Sequence, residues 1–314
     1  MRFLKNKVRC CFQLFPIVIM GFSLLFSCNN DSTGPSTSTT TTASTTTTAT
    51  TTTTSITTTT TSTTSQVEEK DTLSGASIEL SEGIFVLSNN DWGYSCNSSE
   101  CNQAIILYSN SHYGWGWDRD LTGDNDPNYP EVICGTKPWG TRTGAEIFPV
   151  QIKDLNSFES DMEVVYGVEG DNWNLAFEFW LTEQKPEGND VSGSIIDEVM
   201  IWLGWGSAHS GVSLIEQDAV VDGGNIYDYA RYFPGHGSGW DYHQFRISGE
   251  QRVPSGIDLK LFVDYIKDRY SRSDTLWVSG MELGNEYWDF TEGACTVKAL
   301  SYSVNGETVI SGSD

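Results

Sequence analysis

Glu198 lies in a stretch whose alternation of side chains could support acid–base chemistry. Residues 193–206 read GSIIDEVMIWLGWG, and at the two-residue period of a β-strand Glu198 shares one face with Met200 and Trp202. A carboxyl group held beside an aromatic surface is a common way to build a sugar-cleaving site. The alternative is a salt-bridged Glu on an ordinary strand. The opposite face is apolar and predicts a buried core; it carries Val199, Ile201, Leu203 and Trp205.

Two further carboxyl groups occur near the C-terminus, in residues 277–288, WVSGMELGNEYW. Glu282 and Glu286 share a face if this strand is regular. Retaining glycoside hydrolysis needs two carboxyl groups about 5–5.5 Å apart, one ionised to attack the anomeric carbon and one protonated to donate to the leaving oxygen. Alternation alone does not choose between Glu282 and Glu286 as the partner of Glu198.

Residues 173–181 repeat the pattern of an acid beside an indole on one strand face. Glu178 and Trp180 point one way, together with Asn174 and Ala176. The other face predicts core and carries Trp173, Leu175, Phe177, Phe179 and Leu181. Two strands with the same acid-and-aromatic face predict a shared groove.

The elements that must position these groups are mostly short strands bounded by Gly, Asn and Asp. They are expected at 77–80, 84–88, 104–108, 132–134, 147–152, 161–166, 174–181, 198–203, 227–232, 240–247, 276–286 and 295–304. Residues 257–270 have apolar side chains at helical spacing, with Ser255 as the expected N-cap. A dozen strands and one helix predict an all-β domain, a concanavalin-like jelly-roll sandwich of two curved antiparallel sheets with one α-helix.

The N-terminal region predicts an export signal. Four basic residues within the first nine positions precede the apolar run 15–26, which is too short to span a bilayer comfortably. Residues 1–27 are therefore interpreted as a signal peptide. The run ends in Leu-Phe-Ser-Cys, which resembles a bacterial lipobox and would make a lipidated Cys28 the mature N-terminus. Ordinary signal cleavage is the alternative.

A linker and one globular domain are expected after the signal. From position 32 to position 65 almost every residue is Thr or Ser, so residues 28–66 predict a disordered stalk with too few apolar side chains to drive its folding. Residues 67–314 are long enough for one large all-β domain.

The charge balance limits the partners. Removal of the signal takes four of the 18 basic residues and none of the 42 acidic ones, which leaves 14 against 42 and a net charge near −28. Such a chain repels nucleic acid and anionic membranes and suits an exported protein acting on a neutral substrate. We expect an extracellular or cell-surface monomer that contacts the membrane only through a lipid anchor.

Four cysteines lie within the predicted domain, an even number that favours disulfides in an oxidising compartment. Cys96 and Cys101 flank the polar loop CNSSEC and would close a hairpin-sized ring. A Cys134–Cys295 bridge would then follow by elimination. The spacing does not fit a zinc site and the four histidines are scattered, so neither a metal nor a cofactor is expected.

Four segments, in the expected order, resemble glycoside hydrolase family 12, whose members are retaining endo-β-1,4-glucanases and xyloglucan hydrolases with a β-jelly-roll fold. The segments are SNNDWG at 88–93, NYPEVICGTKPW at 128–139, DEVMIWLGW at 197–205 and GNEYW at 284–288. The resemblance implies an endo-acting glucanase that hydrolyses cellulose, mixed-linkage glucan or xyloglucan by double displacement. A non-catalytic β-glucan-binding module on the same fold and a xylanase-like hydrolase are the alternatives.

The resemblance also implies roles for individual residues. Glu198 matches the nucleophile and Glu286, rather than Glu282, matches the acid/base. Glu178 stands where many members carry an Asp that contacts the nucleophile, so it is expected to orient Glu198. Glu282 is then a structural or supporting acid. The expected substrate-binding residues are Asn90, Trp92, Trp139, Met200, Trp202 and Trp288.

One segment departs from the family pattern. Residues 113–129, YGWGWDRDLTGDNDPNY, are longer and more acidic than expected. They are interpreted either as an extension of the cleft or as a solvated loop. Trp115 and Trp117 within them could contact substrate or could belong to the core.

Overall fold

The structure is a computed structural model that describes residues 66–93, 96, 101–120, 126–236 and 239–312. All of these lie within the unit Thr61–Asp314. The predicted signal peptide and all of the predicted linker except Gln66 lie outside the described residues. Within the described part of the chain, no helix combines the length and apolar character needed to cross a membrane.

Seven strands form the first sheet, in the order β1-β4-β5-β17-β8-β14, with β18 paired to β17. Every pairing in this sheet is antiparallel. The strands are β1 (Val67–Asp71), β4 (Cys101–Tyr108), β5 (Tyr113–Arg119), β8 (Phe158–Glu169), β14 (Gly256–Asp258), β17 (Thr291–Val304) and β18 (Glu307–Ser311).

Eleven strands form the second sheet, in the order β11-β12-β13-β10-β9-β16-β6-β3-β2, with β15 and β7 paired beside β9. The strands are β2 (Ser77–Leu80), β3 (Phe85–Ser88), β6 (Glu131–Gly135), β7 (Val150–Gln151), β9 (Asn174–Thr182), β10 (Ile195–Trp205), β11 (Glu216–Asp222), β12 (Asn225–His236), β13 (Trp240–Ile247), β15 (Trp277–Val278) and β16 (Gly280–Gly284). Short 3-10 turns occur at Ile152–Asp154, Ser192–Ser194 and Ser207–His209.

One strand pair differs from the predicted antiparallel arrangement. β10 and β13 run parallel, with Asp197 opposite Asp241 and Glu198 opposite Tyr242. The chain leaves β10 for the edge of the sheet, forms the hairpin of β11 and β12 there, and returns inward as β13. A strand reached by such a crossover can pair parallel to its neighbour, whereas a directly connected hairpin cannot.

The predicted alternation on β9 and β10 is confirmed. On β10, Val199, Ile201 and Leu203 are fully buried in the main core, which also holds Phe177 and Phe179 of β9. The other face of the same two strands carries Glu178, Trp180, Glu198, Met200 and Trp202. The all-β jelly-roll prediction is therefore confirmed, and the described residues contain one α-helix, as expected.

Trp205 is only partly buried and packs both against the main core, as predicted, and against the cluster that holds Met200 and Trp202. The register of β10 against β9 shifts between Trp202 and Gly204, which is a β-bulge and breaks the strict alternation. A Cβ added at Gly204 would lie 2.6 Å from the Tyr166 hydroxyl, so the backbone packs closely against this side chain. Arg246 packs over the rings of both Trp202 and Trp205, which places these two indoles side by side.

The segment 113–129 begins with a core strand. Tyr113–Arg119 is β5, paired with β4 and β17 in the middle of the seven-stranded sheet. Trp115 is fully buried and donates from Nε1 to Asn285 Oδ1 at 2.8 Å, and Trp117 stacks on Tyr287. Both are core residues rather than cleft residues.

The helix is shorter than predicted. α1 spans Lys260–Tyr270, because Gly256–Asp258 instead pairs with β8 as strand β14. Ser255 is therefore not the cap; its carbonyl accepts from the Met162 amide. Asp258 Oδ1 accepts from the Lys260 amide at 3.0 Å and satisfies one of the free N–H groups at the helix start.

The two disulfide predictions have different outcomes. Cys96 and Cys101 are bridged, but Cys134 and Cys295 are both free and buried, so the predicted second bridge is wrong. Cys134 is on β6 and Cys295 is on β17, in different sheets. Packed sheets lie about 10 Å apart, farther than the separation of about 4.4–6.8 Å between the Cα atoms of a disulfide.

Candidate active site

A cleft of about 880 Å³ runs over the face of the eleven-stranded sheet that is turned away from the main core. Five glutamates line it, together with five tryptophans and one lysine. They are Glu131, Glu178, Glu198, Glu282 and Glu286, with Trp92, Trp139, Trp180, Trp240, Trp288 and Lys137. Glu198 and Glu286, predicted as the catalytic pair, are thus brought into one cleft from strands far apart in the sequence.

Glu198 projects from β10 into the cleft and accepts a hydrogen bond from Trp240 Nε1 to Oε2 at 2.6 Å. Burial raises the pKa of Glu198 to about 8; the Trp240 bond acts in the opposite direction by stabilising the carboxylate, and the nearby Glu286 raises the pKa further. The indole donor marks Oε2 as the oxygen held in place.

Glu286 follows the end of β16 and is held by the first residue of β9. Asn174 donates from Nδ2 to Glu286 Oε2 and accepts from the Glu286 amide at 3.2 Å, while the Asn174 amide donates to the Glu286 carbonyl at 2.8 Å. Burial raises the pKa of Glu286 to about 7, against the lowering effects of Asn174 and Arg231. Its neighbour Asn285 bonds both Trp115 and the Asn174 carbonyl, which fixes the turn that presents Glu286.

The pKa values of the pair define what it can do. Both lie well above the ordinary value for Glu, so near neutral pH one proton can be shared between two interacting carboxyl groups. This is the state needed for an acid and a nucleophile in one cleft. Because the pKa of Glu198 is not below that of Glu286, their order does not assign the two roles, which stay a prediction from the motifs.

Glu178 lies between Glu198 and Glu282 at the base of the cleft. It is opposite Met200 on β10 and opposite Glu282 on β16. Burial raises its pKa well above the ordinary value, and the charges of Glu282 and Glu198 raise it further. Among the described residues, the hydrogen bond to Glu198 comes from Trp240 rather than from Glu178. The orienting role predicted for Glu178 stays a prediction.

A cation balances the carboxylates on the far side of Glu178. Lys137 Nζ lies 2.7 and 2.9 Å from the two oxygens of Glu131 and 2.8 Å from Glu282 Oε2. Burial would lower the pKa of Lys137, but Glu131, Glu282 and Glu178 raise it above its ordinary value. Trp180 Nε1 also donates to Glu282 Oε1 at 3.1 Å. Glu282 is thus held in an ion-pair network, as expected of a supporting acid.

Four of the six predicted substrate-binding residues line the cleft. Trp92 is 62% exposed and Trp139 is 45% exposed, so both offer an indole face to a sugar ring. Trp288 lines the cleft on the side of Glu286. Asn90 also lines it and donates from Nδ2 to Glu131 Oε1 at 2.8 Å.

Met200 and Trp202 do not reach the cleft, and this differs from the predicted substrate contacts. Each is only 1% exposed, in a small apolar cluster with Tyr129, Ala176 and Tyr242 beneath the cleft face. Trp202 is covered by the Arg246 guanidinium, 4.7 Å from its ring centre, and by His209. Alternation placed both residues on the correct face but could not show that other side chains cover them.

Several cleft residues were missed by the sequence analysis, whereas Trp180 lies on the groove face as predicted. The missed Trp240 packs edge to face with Trp180 and Trp139, and the three indoles form one aromatic wall beside Glu198. Lys137 and Glu131 are within the segment NYPEVICGTKPW, so the motif contained them without indicating a role. Trp240 begins a predicted strand, but its contact with Glu198 depends on the parallel pairing of β10 and β13, which no local pattern signals.

Comparison with known proteins identifies relatives of this arrangement. The model of the family described as glycosyl hydrolase family 12 matches residues 83–305. No curated protein sequence matches the chain. Solved structures of similar fold include a family 12 xyloglucanase from Bacillus licheniformis, with 22% identity and a TM-score of 0.65 over 76% of this chain and 100% of that one.

Two endoglucanases are also similar. Endoglucanase cel12A from Rhodothermus marinus has 22% identity and a TM-score of 0.63 over 77% of this chain and 100% of that chain. Endoglucanase 3 from Trichoderma harzianum has 20% identity and a TM-score of 0.59 over 76% of this chain and 97% of that chain. At these identities the similarity shows the fold.

Proposed function

The chain belongs to glycosyl hydrolase family 12, and from that premise we propose that it is a retaining, endo-acting β-1,4-glucanase of plant-type β-glucans. The observation that carries the proposal is the convergence of Glu198 and Glu286 in one cleft, lined by tryptophans and crossing the sheet. A protein that only binds a neutral sugar has little reason to bury two carboxyl groups together, because burial without pairing is costly.

The proposed reaction is a double displacement. Glu198 attacks the anomeric carbon and forms a covalent glycosyl–enzyme ester, while Glu286 protonates the departing glycosidic oxygen. Glu286, now ionised, then removes a proton from water, which attacks the same carbon and releases Glu198. The Trp240 bond to Glu198 Oε2 keeps the nucleophile oriented through both steps.

The neutral, flat surface of a β-glucan suits the aromatic lining. Trp92, Trp139 and Trp288 all line the cleft and can stack on the apolar faces of glucose rings. The similar structures carry the names xyloglucanase and endoglucanase, so cellulose, mixed-linkage glucan and xyloglucan are all proposed substrates. An open cleft lined across several strands suits attack within a chain rather than at its end.

The location proposed for this enzyme is outside the cytoplasm. The basic n-region, the short apolar run and Cys28 support export with a lipid anchor, and the Thr/Ser-rich stretch supports a stalk that lets an anchored monomer reach polysaccharide. Mass spectrometry of the mature N-terminus tests this directly. A diacylated Cys28 supports the anchor, and a free N-terminus elsewhere contradicts it.

Release of reducing ends by the purified protein tests the enzymatic proposal. Carboxymethylcellulose, barley β-glucan, xyloglucan and xylan are assayed side by side for the wild type, Glu198→Gln and Glu286→Gln. We expect hydrolysis of one or more glucans but not of xylan, its loss in Glu198→Gln, and a decrease of about 10²–10⁴-fold in Glu286→Gln. Glu159→Gln, at an exposed position of β8, is the matched control and should retain full activity.

Three outcomes would contradict the proposal. Correctly folded Glu198→Gln or Glu286→Gln protein that keeps wild-type activity would remove the catalytic assignment. Binding of glucan without hydrolysis by the wild type would favour the binding module. Hydrolysis of xylan in preference to the glucans would favour a xylanase-like enzyme.

A further inference from the structure

We propose that Arg272 is a positioning residue for the nucleophile: it clamps strands β10 and β13 together through Asp197 and Asp241, and so holds Trp240 against Glu198. The inference rests on the proposed function, because it concerns how the proposed nucleophile is held. Arg272 lies just beyond helix α1 and contacts neither the cleft nor Glu198.

The clamp is a bidentate ion pair extended to a second carboxylate. Arg272 Nε lies 3.1 and 3.0 Å from the two oxygens of Asp197, and Nη2 lies 2.7 Å from Asp197 Oδ1. Nη2 also donates to Asp241 Oδ2. A planar guanidinium can bond two carboxylates at fixed angles, whereas a lysine ammonium lacks that geometry. Asp197 is fully buried, so its contacts are shielded from solvent.

The positions of the two aspartates connect the clamp to the chemistry. Asp197 and Asp241 are direct partners in the parallel pairing of β10 and β13. Each is the chain neighbour of one member of the key contact, since Glu198 follows Asp197 and Trp240 precedes Asp241. The Trp240–Glu198 hydrogen bond therefore crosses the same two strands, one residue away from the clamp.

One backbone turn and four further hydrogen bonds fix this geometry. Ser271 adopts a left-handed conformation at φ 52°, ends α1 and turns the chain so that Arg272 returns to the sheet. His243 Nε2 lies 2.8 Å from Asp197 Oδ1, and its Nδ1 lies 2.8 Å from the Tyr229 hydroxyl. At Asp241, Tyr232 donates to Oδ2 at 2.9 Å and the Gly235 amide donates to Oδ1 at 3.0 Å.

The same cluster has the composition of a metal site. Ligand atoms of Asp197, Asp241 and His243 lie within 4.8 Å of one another. The guanidinium of Arg272 already lies among them and bonds both carboxylates, so the charge that a cation would supply is provided by the protein. The group is better explained as a clamp than as a metal centre.

Asp241→Asn is the sharpest test, because it breaks the link to β13 and leaves the buried Asp197–Arg272 pair intact. The amide oxygen can still accept from Gly235, and Asp241 is partly exposed, so folding should survive. The matched control is Glu216→Gln. Glu216 also accepts from a tyrosine and an arginine of the α1 C-terminal region, Tyr265 and Arg269, but it sits on β11, away from the cleft.

Two measurements are made on the full chain of each variant. The first is kinetic. The kcat and KM are measured for the preferred glucan, and the rate at which Glu198 is covalently trapped is measured with a 2-fluoro cellobioside that carries a dinitrophenolate leaving group. That leaving group needs no proton from Glu286, so the trapping rate reports on Glu198 alone. The second is the indole N–H resonance of Trp240, identified by its disappearance in Trp240→Phe, which reports the Glu198 contact without any activity.

In Asp241→Asn we expect the kcat and the trapping rate to fall together by about tenfold with KM within about twofold, since small displacements of a reacting group cost rate rather than binding. The Trp240 resonance should move upfield as its hydrogen bond weakens. Glu216→Gln should change none of these.

Unchanged values in Asp241→Asn, or equal losses in both variants, would overturn the clamp. If the wild type hydrolyses no glucan, the proposed function fails, and the Trp240 resonance still decides the clamp.

Discussion

At the scale of single residues, the cleft works by removing carboxyl groups from water. Glu198 and Glu286 are each half-buried in the cleft, and Glu198 is also close to the charge of Glu286, so both resist ionisation. The donors that reach them, the Trp240 indole and the Asn174 amide, act against burial and keep ionisation possible near neutral pH. The two glutamates therefore form one proton-sharing unit.

The pH dependence of hydrolysis follows from this unit. Below about pH 7 both carboxyl groups hold protons and no nucleophile is available; above about pH 8 both are ionised and no acid is available. We expect a bell-shaped profile of kcat/KM with its maximum between these values, measured with soluble β-glucan from pH 4 to pH 10. A flat profile or a maximum below pH 5 would contradict it.

Glu286→Gln provides the control for that profile. Because the charge of Glu286 raises the pKa of Glu198, its removal should lower the pKa of Glu198. Both proteins are assayed with an aryl β-cellobioside whose leaving group needs no protonation, so that the acid limb reports the ionisation of Glu198 alone. The acid limb of the variant should then lie at lower pH than that of the wild type, with no alkaline limb. An acid limb at the wild-type position would show that the two groups do not interact.

Exposure separates the two kinds of tryptophan on the cleft face. Trp139→Ala removes an accessible indole, so we expect the KM for glucan to rise by about three- to tenfold while the thermal midpoint changes little. Trp202→Ala opens a cavity beneath Arg246 instead, and should lower the free energy of unfolding by about 3–5 kcal/mol. Steady-state kinetics and urea unfolding of both variants check this. If Trp139→Ala lowered stability and Trp202→Ala raised KM instead, the assignment of Trp202 to the buried layer beneath the cleft would be wrong.

At the scale of elements, strands with strict alternation were predictable and non-local pairings were not. The two faces of β9 and β10 follow directly from their sequences, which is why Glu178 and Glu198 were placed correctly. The bulge at Gly204 packs closely against the Tyr166 hydroxyl, and the Trp240 contact depends on a parallel pairing with residues about 40 positions away. Neither interaction leaves a trace in the local pattern.

The helix shows the same limit over a short distance. Helical spacing located α1, but pairing with β8 converts Gly256–Asp258 into a strand and moves the helix start to Lys260. The side-chain acceptor at this start is therefore Asp258 rather than Ser255. Competition between a strand pairing and a helical turn is decided by β8, which is about 100 residues away.

Asp258→Ala tests this assignment. Loss of the Asp258 Oδ1 acceptor leaves the Lys260 amide without its side-chain partner, so the free energy of unfolding should fall by about 1 kcal/mol. Ser255→Ala is the matched control, because Ser255 contributes only its backbone carbonyl to Met162, and it should be neutral within about 0.5 kcal/mol. Urea unfolding measures both, and a larger loss in Ser255→Ala would favour the cap predicted from sequence.

At the scale of the whole molecule, the sandwich explains why the second disulfide was predicted wrongly. Counting cysteines assumes that any two can meet, but Cys134 and Cys295 are held on different sheets by the strand pairings around them. The free thiols instead fill apolar space in the main core. Pairing by elimination fails here because the distance between sheets is a property of the assembled fold.

The catalytic cleft also lowers the stability of the whole fold at high pH. Carboxyl groups with a raised pKa hold protons in the folded state that the unfolded chain releases near pH 4.5, so the fold binds more protons than the unfolded chain between about pH 4.5 and pH 8. When the folded state binds the excess protons, the free energy of unfolding falls as pH rises. Removing one such carboxyl group should therefore stabilise the protein, and more so in alkaline solution.

The variant Glu198→Gln tests this prediction. Its free energy of unfolding relative to the wild type should increase from pH 5 to pH 9, by about 2 kcal/mol after allowance for the partial exposure of the cleft. Urea unfolding of both proteins is measured at each pH unit with the Cys96–Cys101 disulfide intact. Because the two proteins share all other acidic groups, the titration of those groups cancels in the difference. Glu159→Gln, at an exposed site, should show a constant difference. If the free energy of unfolding of Glu198→Gln exceeded that of the wild type by the same amount at every pH, Glu198 would ionise normally in the folded protein. Its environment would then contribute nothing to proton sharing with Glu286.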